Sequence, residues 1–343
     1  MSASPPHPSL SASHPARGTA VDAALRAVYS WDYEPEIDQL RTLYANGLER
    51  QWIALRDLDW ERGIDREAVT RTFSMGGIPV AETRFWQELP LETRWRLSRA
   101  TAAFMLSQFL HGEQGALIVA SQLVGGVPWI DAKYYAGSQT MDVARHVEVF
   151  SRYLREKLEW EWPINPQLKE LLDATLKDSR WDFKYLGMQI MIEGLAMAAF
   201  GNLYQLCQEP LLKKLLLYVM RDESRHVTFG VVSLRDYYKD MPANELADRE
   251  DFIIYSAELM RNRLVGSEIA RTFGWNQDEV RDLVLGSPVG KAFRSILFQR
   301  VVPNLKRLGL LTPRVRDAFE KLDILKFENE DPEKQDRELG FAS

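Results

Sequence analysis

The stretch Arg221-Asp222-Glu223-Ser224-Arg225-His226 constrains the fold more than any other. A carboxylate and an imidazole three residues apart fall on one face of a helix, so Glu223 and His226 present two metal-ligand side chains together. The frame occurs twice. Asp142-Val143-Ala144-Arg145-His146 repeats the Asp, Arg and His at the same offsets, with Val143 where the other copy has Glu223. Two more carboxylates, Glu113 and Glu193, lie inside apolar helical sequence, and neither environment suits an unpaired charge.

Apolar spacing predicts helices along the whole chain and almost no strands. The first is expected from about 35 to 60, with Leu40, Leu43, Tyr44, Leu48, Trp52 and Leu55 on its inner side. After a turn-rich interval around Gly76, Gly77 and Pro79, a long helix over 91–124 ends at Gly125-Gly126 and carries Glu113 in its interior. A helix from Asp131 to about Trp160 brings His146 inward and stops before Pro163 and Pro166, and a short helix near 167–178 follows. The most apolar helix is expected over 181–207, closed by Pro210, and its partner over 211–239 carries the opening motif. Patterns near 246–273, 276–285, 289–309 and 313–323 read as helices added around that core. Residues 1–20, rich in Ser, Pro and Ala, read as a disordered tail, 21–327 as one helical domain with its metal-binding bundle at about 91–240, and 328–343 as a loose charged tail.

Composition narrows the partners. A net charge of -6 gives no basic footprint, so nucleic acid and anionic membrane surfaces are not expected. The single cysteine, Cys207, rules out an intramolecular disulfide and a cysteine zinc cage, which suits a reducing cytoplasm. Of the five histidines, His7 and His14 belong to the N-terminal tail, and His111, two residues from Glu113, points away from it and reads as structural. Met188, Met191 and Met197, and the tryptophans Trp52, Trp60, Trp86 and Trp95, read as packing residues. Trp52, Tyr255 and Phe298 look exposed enough to suggest a homodimer.

Four long helices would thus carry Glu113, then His146, then Glu193, then Glu223 with His226. From Glu113 to position 143 is 30 residues, and from Glu193 to Glu223 is also 30. That is the length needed to finish one helix, turn, and return to the same depth on an antiparallel neighbour. Carboxylate and imidazole are the ligands that iron and manganese accept. Asp142 and Asp222 are expected to hold the ring N–H of the histidine on the opposite helix, with Arg145 and Arg225 completing buried charge pairs around them.

This pattern resembles the ferritin-like superfamily, in the branch of ribonucleotide reductase small subunits and di-iron oxygenases, over about residues 91–240. The resemblance implies an all-α, ferritin-like four-helix bundle with additional N- and C-terminal helices. It assigns ligand roles to Glu113, His146, Glu193, Glu223 and His226 and places the sixth on Val143, which cannot coordinate a metal. It also implies one or two irons per chain, or manganese, and an oxidoreductase in which Glu113, Glu193 and Glu223 serve a centre that uses dioxygen to oxidise a small organic substrate, fed by a reductase or ferredoxin donor. Reductase subunits generally carry a radical-forming Tyr four residues after the first His, and here that position is Phe150. A reductase-like radical protein and a degenerate metal-binding protein without catalysis are the alternatives.

Overall fold

The computed structural model describes residues 19–341 apart from 24–25, 75–80, 82–83, 262 and 264–266. The N-terminal tail with His7 and His14, and the turn-rich interval at 76–79, lie outside the described residues. Four long helices form the centre: α2 (Leu91–Gly126), α3 (Ile130–Tyr153), α5 (Trp181–Leu206) and α6 (Pro210–Leu234), with α4 (Pro166–Lys177) between the second and third. α2 and α3 pack as one hairpin, α5 and α6 as the other, and α3 lies against α6, closing an all-α four-helix bundle. α1 (Asp38–Glu49) crosses α3 and α6 on one side, while α7 (Ala243–Arg261) and the helices after it cover α5 on the other.

Local chemistry sets the hairpin ends. Pro210 opens α6 rather than closing α5: it occupies the first helical position, and Glu209 caps the free amides of Leu211 and Leu212. The same Glu209 accepts a 3.0 Å hydrogen bond from the Tyr153 hydroxyl, tying the C-terminal end of α3 to the start of α6. At the other end Asp131, buried at the start of α3, accepts the Glu36 and Ile37 amides and the Arg41 guanidinium, and so caps α1 from outside.

α5 is long and apolar enough to cross a membrane by length and composition, yet 89% of its most apolar window is buried inside the bundle. Its turns from Leu186 to Ile192 are π-helical, ending directly before Glu193. A widened turn of that kind rotates the following residues about the helix axis.

Three sequence expectations change. The single helix expected over 35–60 is α1 followed by a non-helical stretch at 50–53 and a short turn, Ala54–Asp57. The pattern expected over 246–273 is two helices, α7 and Ser267–Thr272. The segment after 328, read as loose from its charge, carries the short helix Lys334–Glu338, with Asp336 buried against Ser224 and Arg300.

Candidate metal centre

A buried polar cluster has two halves, one supplied by three helices and the other by two. Glu113 from α2, His146 from α3 and Glu223 from α6 form one set of three, and Glu193 from α5 with Glu223 and His226 from α6 forms a second. In each set the candidate donor atoms lie within 4.8 Å of one another, and Glu223 belongs to both. The five residues singled out in the sequence therefore converge on one place, at the depth that the two 30-residue spacings set.

The donors face a common space. His146 Nδ1 stands 3.0 Å from Glu223 Oε1 and 3.2 Å from Glu113 Oε2, and His226 Nδ1 stands 3.3 Å from Glu223 Oε2. Neither contact with Glu223 has hydrogen-bond geometry, and both Glu223 oxygens, Glu193 Oε2 and His226 Nδ1 are buried with no hydrogen-bond partner. Four orphaned polar atoms in one buried pocket would cost several kcal/mol unless something positive meets them. Donors bound at right angles to one ion, each about 2.1 Å away, lie roughly 3.0 Å apart, which is the spacing seen here. The donor set fits one or two hard or borderline divalent metals, with oxygen and imidazole ligands and no thiolate.

The outer ring is a closed network. His146 Nε2 lies 3.2 Å from Asp222 Oδ2 and His226 Nε2 lies 3.4 Å from Asp142 Oδ2, so each aspartate serves the histidine of the opposite helix, as the repeated frame suggests. Arg145 Nη2 donates to both aspartates, at 2.7 and 2.9 Å, and Arg225 Nη2 does the same at 2.6 and 3.4 Å. An imidazole whose Nε2–H is held by a carboxylate presents its Nδ1 lone pair inward.

The electrostatics follow from burial and proximity. Burial, and next the neighbouring Glu223 carboxylate, raise Glu113 and Glu193 above the usual carboxylate range. Burial alone would lower the imidazoles, but the surrounding carboxylates win and raise both, His226 to about 10. Burial would likewise raise Glu223, yet the two imidazoles hold it down at about 2.

The structure adds residues that sequence reasoning missed. Gln139, fully buried one helical turn before Val143, donates to Glu193 Oε1 at 2.9 Å, and Gln189 from the π-helical turns donates to Gln139 at 3.4 Å. Trp52, read as a packing residue, donates its indole N–H to Asp222 Oδ2 at 2.8 Å, and Arg145 stacks over its ring at 4.6 Å. Gln51 bridges Asp142 and Arg145. A buried glutamine one turn from a frame residue was a usable signal for Gln139; nothing in the sequence marks Gln51 or Trp52. His111 is apart from the centre, bonded to the Trp162 carbonyl at 2.8 Å. Phe150 packs between Phe109 and Phe200 in the core, and Met188, Met191 and Met197 are buried as expected.

No family model matches the chain, and no curated protein matches it. Among solved structures it is similar to a mutant R2-like ligand-binding oxidase with an anaerobically reconstituted Mn/Fe cofactor, with 16% sequence identity and a TM-score of 0.47 over 78% of this chain and 92% of that one.

Proposed function

We propose that this protein is an oxidoreductase that uses iron or manganese and dioxygen to oxidise a small organic substrate. The observation that carries the reading is the pair of buried three-residue sets sharing Glu223. His146 with Glu113, and His226 with Glu193, would each hold one metal, and Glu223 would serve both. Bound there, the metals would supply the one-electron changes that dioxygen chemistry requires.

The chain's own residues do the rest. Asp142 and Asp222 hold the Nε2 protons of His226 and His146, which keeps both Nδ1 lone pairs aimed inward. Arg145 and Arg225 neutralise those aspartates and fix their orientation, so the ligands are set before any metal arrives. Glu113 and Glu193 are the two carboxylates of the centre that border an apolar cavity, and they mark the side from which a substrate approaches. Phe109 and Phe200 line that cavity as apolar surface, and both rings pack against Phe150 behind them.

The two halves are unequal, and two observations support this. Val143 leaves the His146 half without a sixth ligand, and Gln139 already engages one oxygen of Glu193. We therefore expect unequal or less than twofold metal occupancy. The radical-subunit alternative is disfavoured by the phenyl ring at 150, which has no oxidisable hydroxyl.

The reading is tested on protein expressed with added iron and manganese, by elemental analysis and by oxygen uptake under reduction. The expected result is bound metal, oxygen consumption above buffer, and loss of most metal in Glu223→Ala. Folded wild-type protein with no metal, or a Glu223→Ala variant that keeps its full metal content, would overturn it.

A further inference from the structure

Two side-chain amides lie fully buried beside the centre: Gln139 on α3, one turn before Val143, and Gln189 in the π-helical turns of α5. A buried amide costs free energy unless its donors and acceptors are met. Gln189 donates to Gln139 Oε1 at 3.4 Å, which leaves the Gln139 amino group for Glu193, and Gln139 Nε2 donates to Glu193 Oε1 at 2.9 Å. Packing sets this pair in turn. Gly230 on α6 comes so close that a Cβ there would stand 2.6 Å from Gln189 Cβ, so a side chain at 230 would displace Gln189.

The amide distinguishes the two oxygens of Glu193. Oε1 is engaged by Gln139, whereas Oε2 is buried with no hydrogen-bond partner. Among the described residues no other hydrogen bond reaches this carboxylate, and the cavity of about 50 Å³ that it borders, beside Met188, Ile192 and Phe200, gives it room to turn. The kind of donor matters as well. Asp142 and Asp222 are held by Arg145 and Arg225, cations that would compete with a metal for the charge of a ligand. A neutral amide fixes one oxygen of Glu193 and leaves its charge for the ion.

We propose that Gln139, oriented by Gln189, is the positioning residue that makes Glu193 a metal ligand through Oε2 alone. This deepens the oxidoreductase reading above and rests on it. With Oε1 tied back by the amide, the carboxylate offers its metal one oxygen, and the position that the second oxygen would fill stays open to a small molecule. An open position is what distinguishes a catalytic metal site from a structural one. Without the amide, both oxygens close on the ion.

The test compares wild type, Gln139→Met, Gln189→Met and Glu193→Gln, each dialysed against chelator, checked for fold by circular dichroism and titrated with manganese(II). Affinity is read by competition with a chelator, and coordination by infrared spectra of the carboxylate stretches, with Glu193→Gln marking the bands that belong to Glu193. The antisymmetric and symmetric stretches of a carboxylate lie far apart when one oxygen binds a metal and close together when both do. Wild type should show the wide pair. Gln139→Met, nearly isosteric and without a donor, should bring the Glu193 bands together and weaken manganese binding about tenfold, the lower end of the loss expected when a hydrogen bond to a ligand is removed. Gln189→Met should move the bands the same way by less. A narrow pair in wild type, or the wild-type separation retained in folded Gln139→Met or Gln189→Met, would overturn the proposal, and weaker binding with unmoved bands counts against it as an effect of packing alone. Wild type that takes up neither manganese nor iron would overturn the oxidoreductase reading and this inference together. Metal bound and oxygen consumed, with Glu193 bands indifferent to Gln139, would overturn this inference alone.

Discussion

Position 143 stands between two α3 residues that reach the centre: Gln139, one turn before, bonds Glu193, and His146, one turn after, meets Glu113 and Glu223. Residues spaced three and four apart share a helix face, and Val143 is fully buried, so its side chain belongs to the same wall. We predict that Val143→Glu folds, since Glu has better helix propensity than Val, and that it raises metal content per chain in iron-grown protein. Faster oxygen uptake alongside the added metal would make Val143 a lost ligand, and slower uptake would make it a shaper of the pocket. Unchanged metal content in a folded variant would remove position 143 from the centre. Five ligand candidates and four outer-ring partners were legible in the sequence, because a repeated Asp-x-x-Arg-His frame fixes which side chains share a face. Gln51 and Trp52 were not, because they reach the aspartates from a stretch where α1 has ended, and no helical period points there.

Lys184, fully buried in the first turns of α5, donates to the Thr175 and Leu176 carbonyls at the end of α4 and to Gln122 Oε1. It thereby satisfies carbonyls that a helix C-terminus leaves open. Burial lowers its amine from 10.5 to about 8, with Asp178 opposing only in part. Between those values the unfolded chain holds more protons than the folded one, so stability rises with pH across the window, and the burial cost is fully present below it. Denaturant titrations from pH 7.5 to 10.5 should show this rise in wild type relative to Lys184→Met. Parallel stability curves for the two proteins would show that Lys184 is not the source. The four long helices were readable from apolar spacing and from Gly and Pro punctuation. The π-helical turns at Leu186–Ile192 were not, since a widened turn is a response to packing: Gly187 approaches Thr175 so closely that a Cβ would sit 2.4 Å from its hydroxyl, and a Cβ on Gly230 would sit 2.6 Å from Gln189.

Across the whole molecule, the C-terminal segment returns to the back of the bundle. Asp336 accepts from Ser224, the neighbour of Glu223, at 2.7 Å and pairs with Arg300 at 2.6 Å, and Phe341 is buried with its carbonyl on Arg50. Breaking a buried ion pair by removing one partner costs roughly 3–5 kcal/mol. Asp336→Ala should therefore lower unfolding stability by about 3 kcal/mol in denaturant titrations and weaken metal retention during chelator dialysis. A loss under about 0.5 kcal/mol, the range of an ordinary surface change, would mean the segment does not brace α6. Burial also removes the premise for a subunit face: Trp52 and Phe298 are inside the chain, and of those three aromatics Tyr255 alone is exposed.

The all-α class, the two hairpins, and the five candidate ligands with their crossed aspartates are legible in the residues alone, because helical periodicity and equal 30-residue spacings leave little freedom in which residues meet. Packing in three dimensions settled which groups from outside the four helices join the aspartate network: Gln51 and Trp52, beyond the end of α1. Such contacts join residues far apart in sequence through loops and helix ends, where no local period operates, and the need to pair buried polar groups is what settles their places.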